Sequence, residues 1–178
     1  ICRRGPASNY VKASLYAGPH ERDFLEEKVA EIRSFIPTEA TIVPYQTPER
    51  DSGNRTTVLR YRVSSTLLRP VYNLLYPYRR RRITRAVLEL LGGRAAAWLW
   101  AEGARPGEEA TLLRRVGSTE AEARLISGWL TLLTGAESTV LLDRTKPRLH
   151  FEEDQACRVR QAIRAYAPTS RLHLFNEP

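Results

Sequence analysis

The chain has no methionine, two cysteines, three histidines and only three lysines in 178 residues. Cys2 and Cys157 lie at opposite ends with no CxxC, so no disulfide framework is encoded, and the cysteine usage suits a reducing compartment. His20, His150 and His173 have no ligand spacing, which leaves no zinc site and makes each a surface or strand histidine. Long apolar runs are missing too. The longest, Ala95 to Ala101, falls far below the roughly 18 residues of a membrane span, and membrane insertion is excluded. The chain opens at Ile1 with no initiator methionine and no signal-like apolar region, as expected of a processed or trimmed form.

What is present is arginine. It occurs 25 times, alanine 19 times and asparagine 4 times, the usage of a GC-rich gene, nuclear or bacterial rather than that of an AT-rich organelle. The hydrophobic share of 42% suffices for one compact core or two small pseudo-repeats. The net charge of +8 is uneven: residues 1–89 carry 16 basic and 9 acidic residues, residues 90–178 carry 12 and 11. Arg50, Arg55, Arg60, Arg62, Arg69, Arg79, Arg80, Arg81, Arg82 and Arg85 face a single acid, Asp51, in that stretch. So much uncompensated guanidinium repels itself unless a polyanion neutralises it, and nucleic acid is the natural partner. The alternative is a solvated, codon-biased face. Tyr61, Tyr72, Tyr76 and Tyr78 interleave with the arginines as stacking surfaces for unpaired bases, though half of them could equally be core.

Hydrophobic periodicity predicts a strand over 11–16, an amphipathic helix over 19–36 and a hairpin of 40–45 with 55–63. In the second hairpin strand Leu59, Tyr61 and Val63 share one face, and Val58, Arg60 and Arg62 the other. Helices over 65–76 and 83–91 follow, split by Pro77 and the basic run 79–82. The order then recurs: an apolar helix over 93–102, a strand over 110–116, a capped helix over 118–133 ending at Gly135, a hairpin of 137–142 with 147–151, and a helix over 152–166. Strand, helix, hairpin and helix thus appear twice at a period of about 100 residues, which predicts an α+β pseudo-dimer with halves 1–91 and 92–178.

The stretch RTTVLRYRVSSTLLRPVYNLLYPYRRRRITRAVLELLGGRAAAWLWAEGARPG resembles the second-motif region of the LAGLIDADG homing endonucleases. SNYVKASLYAGPHERDFLEEK is similar to the strand and helix after that family's first motif, and ESTVLLDRTKPRLHFEEDQACRVRQAIRAYAPTSRLHLF to its last hairpin, helix and tail. The resemblance implies two half-repeats with antiparallel saddle-shaped sheets along a DNA groove. It further implies two motif helices side by side at a pseudo-dyad, each delivering a carboxylate to divalent metal ions. The second motif matches as Ala97 to Gly103, so Glu102 takes the catalytic acid's place and Ala101 replaces the neighbouring acid. Arg144 and Lys146 resemble the basic residues that flank the family's site, or are simply hairpin-turn cations. No acid precedes Glu21, so the first motif's carboxylate is missing.

These features lead to the expectation of a non-catalytic RNA-binding protein, Glu102 being a vestige. On that reading the chain needs no cofactor or metal and serves as a structural subunit of a mitochondrial ribosome or similar ribonucleoprotein, with rRNA or intron RNA and other protein subunits as partners. The alternative is a site-specific DNA homing endonuclease or an intron-splicing maturase whose first motif lies upstream of Ile1, in which case Mg²⁺ is required. The apolar face around Trp98 and Trp100 is expected to need cover from a partner or an upstream segment.

Overall fold

The computed structural model describes residues 2–3, 9–47, 56–77, 80–107, 110–114, 116–143 and 146–176. The candidate residues Arg50, Arg55, Arg79 and Arg144, and Tyr78, lie outside them. Two compact units form, Ile1–Tyr78 and Arg79–Pro178. Among the described residues no helix is long and apolar enough to cross a membrane.

The first unit is built from β1 (Cys2–Arg3), β2 (Val11–Ala17), α1 (Arg22–Phe35), β3 (Ile42–Gln46), β4 (Thr57–Ser65) and α2 (Arg69–Leu75). Its sheet runs β1-β2-β4-β3, every pair antiparallel. The register sets Ala13 opposite Val63, Leu15 opposite Tyr61 and Ala17 opposite Leu59, so the apolar alternates of both strands fall on one face. Leu25 and Val29 of α1 seal that face, together with Ile36 just beyond its end. Burying side chains of this size stabilises by about 1.5–3 kcal/mol each. Tyr61 is fully buried there, which corrects its expected role as a base-stacking surface. Tyr72 and Tyr76 stack on one another, their ring centroids 4.8 Å apart.

The second unit repeats this topology. It contains α3 (Arg85–Glu89), α4 (Gly93–Gly103), β5 (Ala104–Pro106), β6 (Ala110–Leu113), α5 (Glu120–Thr134), β7 (Thr139–Asp143), β8 (Lys146–Glu152) and α6 (Glu153–Ile163). The sheet order β5-β6-β8-β7 matches that of the first unit strand for strand. Leu113, Leu149 and Phe151 are buried with Ile126 and Leu130 of α5 and Val159 and Ile163 of α6. Trp100 is 1% exposed; its ring meets Phe151 edge-on at 5.5 Å and its Nε1 donates to the Leu174 carbonyl at 3.3 Å. The expectation that this tryptophan awaits a partner is therefore corrected: the unit's own sheet and C-terminal tail enclose it.

Local chemistry explains where element ends differ from the periodicity. The chain over 66–68 forms a 3₁₀ turn capped by Ser65 Oγ, and α2 begins only at Arg69, beside Pro70. The helix expected from residue 83 starts at Arg85, because Thr84 takes the extended backbone of an N-cap; the Ile83 N–H just before it donates to the Glu122 carboxylate at 2.8 Å. Thr84 then caps α3, its Oγ1 accepting from the Val87 N–H. Residues 79–91 thereby belong to the second unit, where the Leu91 carbonyl also accepts from Trp129 Nε1 at 3.1 Å.

Glu122 is a capping-box glutamate, three residues after Thr119, with a longer reach. One oxygen takes the Ser118 N–H at 2.6 Å and the other takes Ile83; the residue is 6% exposed. Burial pushes its carboxyl up, but the N–H groups of Ile83, Ser118 and Thr119 and the charge of Arg81 outweigh that and hold it below its usual value of 4.5. A carboxyl lowered on folding stabilises above its unfolded pKa, and that stability is lost as pH falls through the lowered value. Urea unfolding is expected to find Glu122→Gln less stable than the parent at neutral pH, with the gap narrowing as pH falls below 4.5 and through the lowered value. A gap constant across that range would show that Glu122 acts by shape alone.

Candidate nucleic-acid interface and cleft

A strand that buries alternate residues presents the others. On the uncovered face of the first sheet stand Lys12, Ser14 and Tyr16 of β2, Val43 and Tyr45 of β3, and Val58, Arg60 and Arg62 of β4. The Arg60 guanidinium lies 4.0 Å from the Tyr45 ring centroid, and the Tyr16 and Tyr45 rings are 5.9 Å apart. Arg60 Nε is buried with no hydrogen-bond partner among the described residues. Arg62 is exposed, and Arg69, on α2, donates to Asn9 Oδ1 at 3.2 Å.

The second sheet repeats the division. Pro147, Leu149 and Phe151 of β8 are buried, while Lys146, Arg148 and His150 alternate with them on the open side. Arg148 pairs in register with Leu141 and His150 with Leu112, so Arg105 of β5, opposite Leu112 on β6, joins the same face. Arg85 does not. It stands exposed on α3 in the helical layer, paired with Glu89 at 3.1 Å, which removes it from the set of arginines gathered on a sheet. Arg80, Arg81 and Arg82 are exposed on the segment before α3.

Glu102 reaches this open face through a close contact. The Arg114 N–H donates to the Gly103 carbonyl at 3.0 Å, and a Cβ on Gly103 would stand 2.3 Å from the Arg114 carbonyl oxygen. Only glycine lets the end of α4 meet the sheet this tightly, and β5 begins at the next residue. Glu102 thereby lines a cleft of about 570 Å³ with Arg105, Arg114, Gly117, Ser118, Lys146, Pro147 and Arg148. One carboxylate stands among four cations there, an arrangement that attracts phosphate and concentrates the field where it binds. The sequence singled out Glu102 and Lys146 and missed Arg105, Arg114 and Arg148; Lys146, Arg148 and His150 at every second position were the legible signal. Lys12, Tyr16 and Tyr45 were missed likewise.

No protein-family model and no curated protein sequence matches the chain. Its fold is similar to that of the homing endonuclease I-WcaI bound to its DNA recognition sequence, with a TM-score of 0.79 over 100% of this chain and 80% of that one, at 9% identity. The finer expectations of RNA as ligand, a ribosomal role and a mitochondrial location draw nothing from that likeness. The expectation that the chain is no enzyme is overturned by it: the fold matched along the entire chain is that of a homing endonuclease. The chain has a homing-endonuclease-like fold.

Proposed function

We propose that the chain is a DNA-binding endonuclease of the homing type, which meets duplex DNA with the open faces of its two sheets and cleaves with Glu102. The observation that carries this reading is the cleft that this single carboxylate lines together with Arg105, Arg114, Lys146 and Arg148. Antiparallel strands with a basic open face fit the B-DNA major groove, which admits a β-ribbon, and the similar I-WcaI structure is of a DNA complex.

The fold implies a divalent metal. Among the described residues no group of three or more His, Cys, Asp and Glu could hold one, so a metal retained by the protein alone does not fit. A Mg²⁺ shared between Glu102 and a phosphate does fit, because Mg²⁺ keeps several waters and takes one or two carboxylates plus substrate oxygens. When bound it supplies Lewis-acid stabilisation at the phosphoryl group. The chain's own residues do the rest. Arg105, Arg114 and Arg148 offer planar donors to phosphate oxygens, Lys146 adds a point charge, and the Gly103 contact holds Glu102 beside them.

Incubation with a randomised duplex library and Mg²⁺ is expected to yield specific strand cuts. Glu102→Gln should lower the rate about 100-fold or more while binding persists. Cutting untouched by that change, or tight binding with no cutting by the parent, would sink the reading. A structured RNA competitor should displace the DNA poorly, and preferential RNA binding would count against it. Gly103→Ala is expected to destabilise by about 1–3 kcal/mol in thermal melts, through overpacking against backbone, and to cut cleavage with it. Arg148→Gln should lower the slope of log K against log salt by about 0.9.

A further inference from the structure

The Glu122 carboxylate spans more than a helix cap requires. A capping box needs only the N–H groups at the helix start, which Ser118 and Thr119 supply, yet Glu122 also takes the Ile83 N–H from 39 residues upstream. Each end of that bridge touches a different part of the nucleic-acid apparatus. On one side, Ile83 directly follows the exposed Arg80, Arg81 and Arg82. On the other, Ser118 and Gly117 form part of the Glu102 cleft wall. Gly117 has φ +110, and a Cβ there would come within 2.6 Å of Glu122 Cβ, so the wall is pressed against the same side chain.

We propose that Glu122 is a positioning residue which fixes the Arg80 to Arg82 segment beside the Glu102 cleft, so that these arginines meet DNA phosphates in a defined place. The inference rests on the endonuclease reading. It identifies what in this unit holds the end of the basic segment: a charged acceptor, 6% exposed, that binds the Ile83 N–H directly after Arg82. Free arginines on an untethered segment would have to be ordered on binding, and that entropic cost opposes the contact.

The test uses the full chain and duplex DNA, with Glu122→Gln, Ile83→Pro, Thr119→Ala and the triple change of Arg80, Arg81 and Arg82 to Gln. Ile83→Pro removes the long-range donor while sparing the α5 cap. Thr119→Ala weakens the cap while sparing the bridge. Both Glu122→Gln and Ile83→Pro are expected to lower the salt slope of DNA binding by about 0.9 for each arginine that lets go, hence by about 1 to 3. The triple change should lower the slope of the parent similarly and add little to Glu122→Gln. Thr119→Ala should leave the slope unchanged, and amide exchange at Ile83 should quicken in Glu122→Gln but not in Thr119→Ala. Slopes equal to the parent's in Glu122→Gln and Ile83→Pro, or a full additional loss from the triple change, would overturn the proposal while leaving the endonuclease reading intact. No salt-dependent DNA binding by the parent would overturn both.

Discussion

Side-chain alternation along antiparallel strands is the constraint on which this molecule depends. Once Leu59, Tyr61 and Val63 are buried against α1, the intervening Arg60 and Arg62 have no choice of side. The same holds for Lys146, Arg148 and His150 once Pro147, Leu149 and Phe151 are buried in the second unit. A one-residue slip in register would send the arginines into the core and the leucines to water, so the cost of burying charge enforces the basic face as strongly as hydrophobic burial enforces the core.

On that frame, two local devices build the candidate site. At Gly103 the missing Cβ permits a backbone approach that no other residue allows, and the Arg114 N–H closes it, so the helix ends against the sheet with Glu102 at the junction. At Glu122 a buried carboxylate collects N–H groups from Ser118 and Ile83, and its charge-assisted bonds offset the desolvation that burial imposes. The first device sets the acid; the second sets the wall beside it.

The two units show how far arginine content alone misleads. The density of guanidinium between 50 and 85 pointed to a binding segment, but the charge divides by element. Arg60 and Arg62 reach an open sheet face, while Arg85 is spent on an exposed pair with Glu89 in the helical layer. The more balanced second half, with nearly equal acids and bases, assembles the tighter cationic group around Glu102, because Arg105, Arg114, Lys146 and Arg148 come from three strand regions that only the β5-β6-β8 pairing joins.

Periodicity by itself determined six of the eight described strands, all but the short β1 and β5, with the helices over 22–35 and 120–134, the Gly135 stop and the duplicated order, because each is written in contacts a few residues apart. Glu102 was marked not by periodicity but by the resemblance of Ala97 to Gly103 to a LAGLIDADG motif. The enclosure of Trp100 by Phe151 and the Leu174 carbonyl, the bond from Ile83 to Glu122 and the company Glu102 keeps were decided only by the tertiary structure. Their partners lie tens of residues away, and an N–H drawn to a distant carboxylate, or a cleft closed by a neighbouring strand, leaves no periodic trace in the chain.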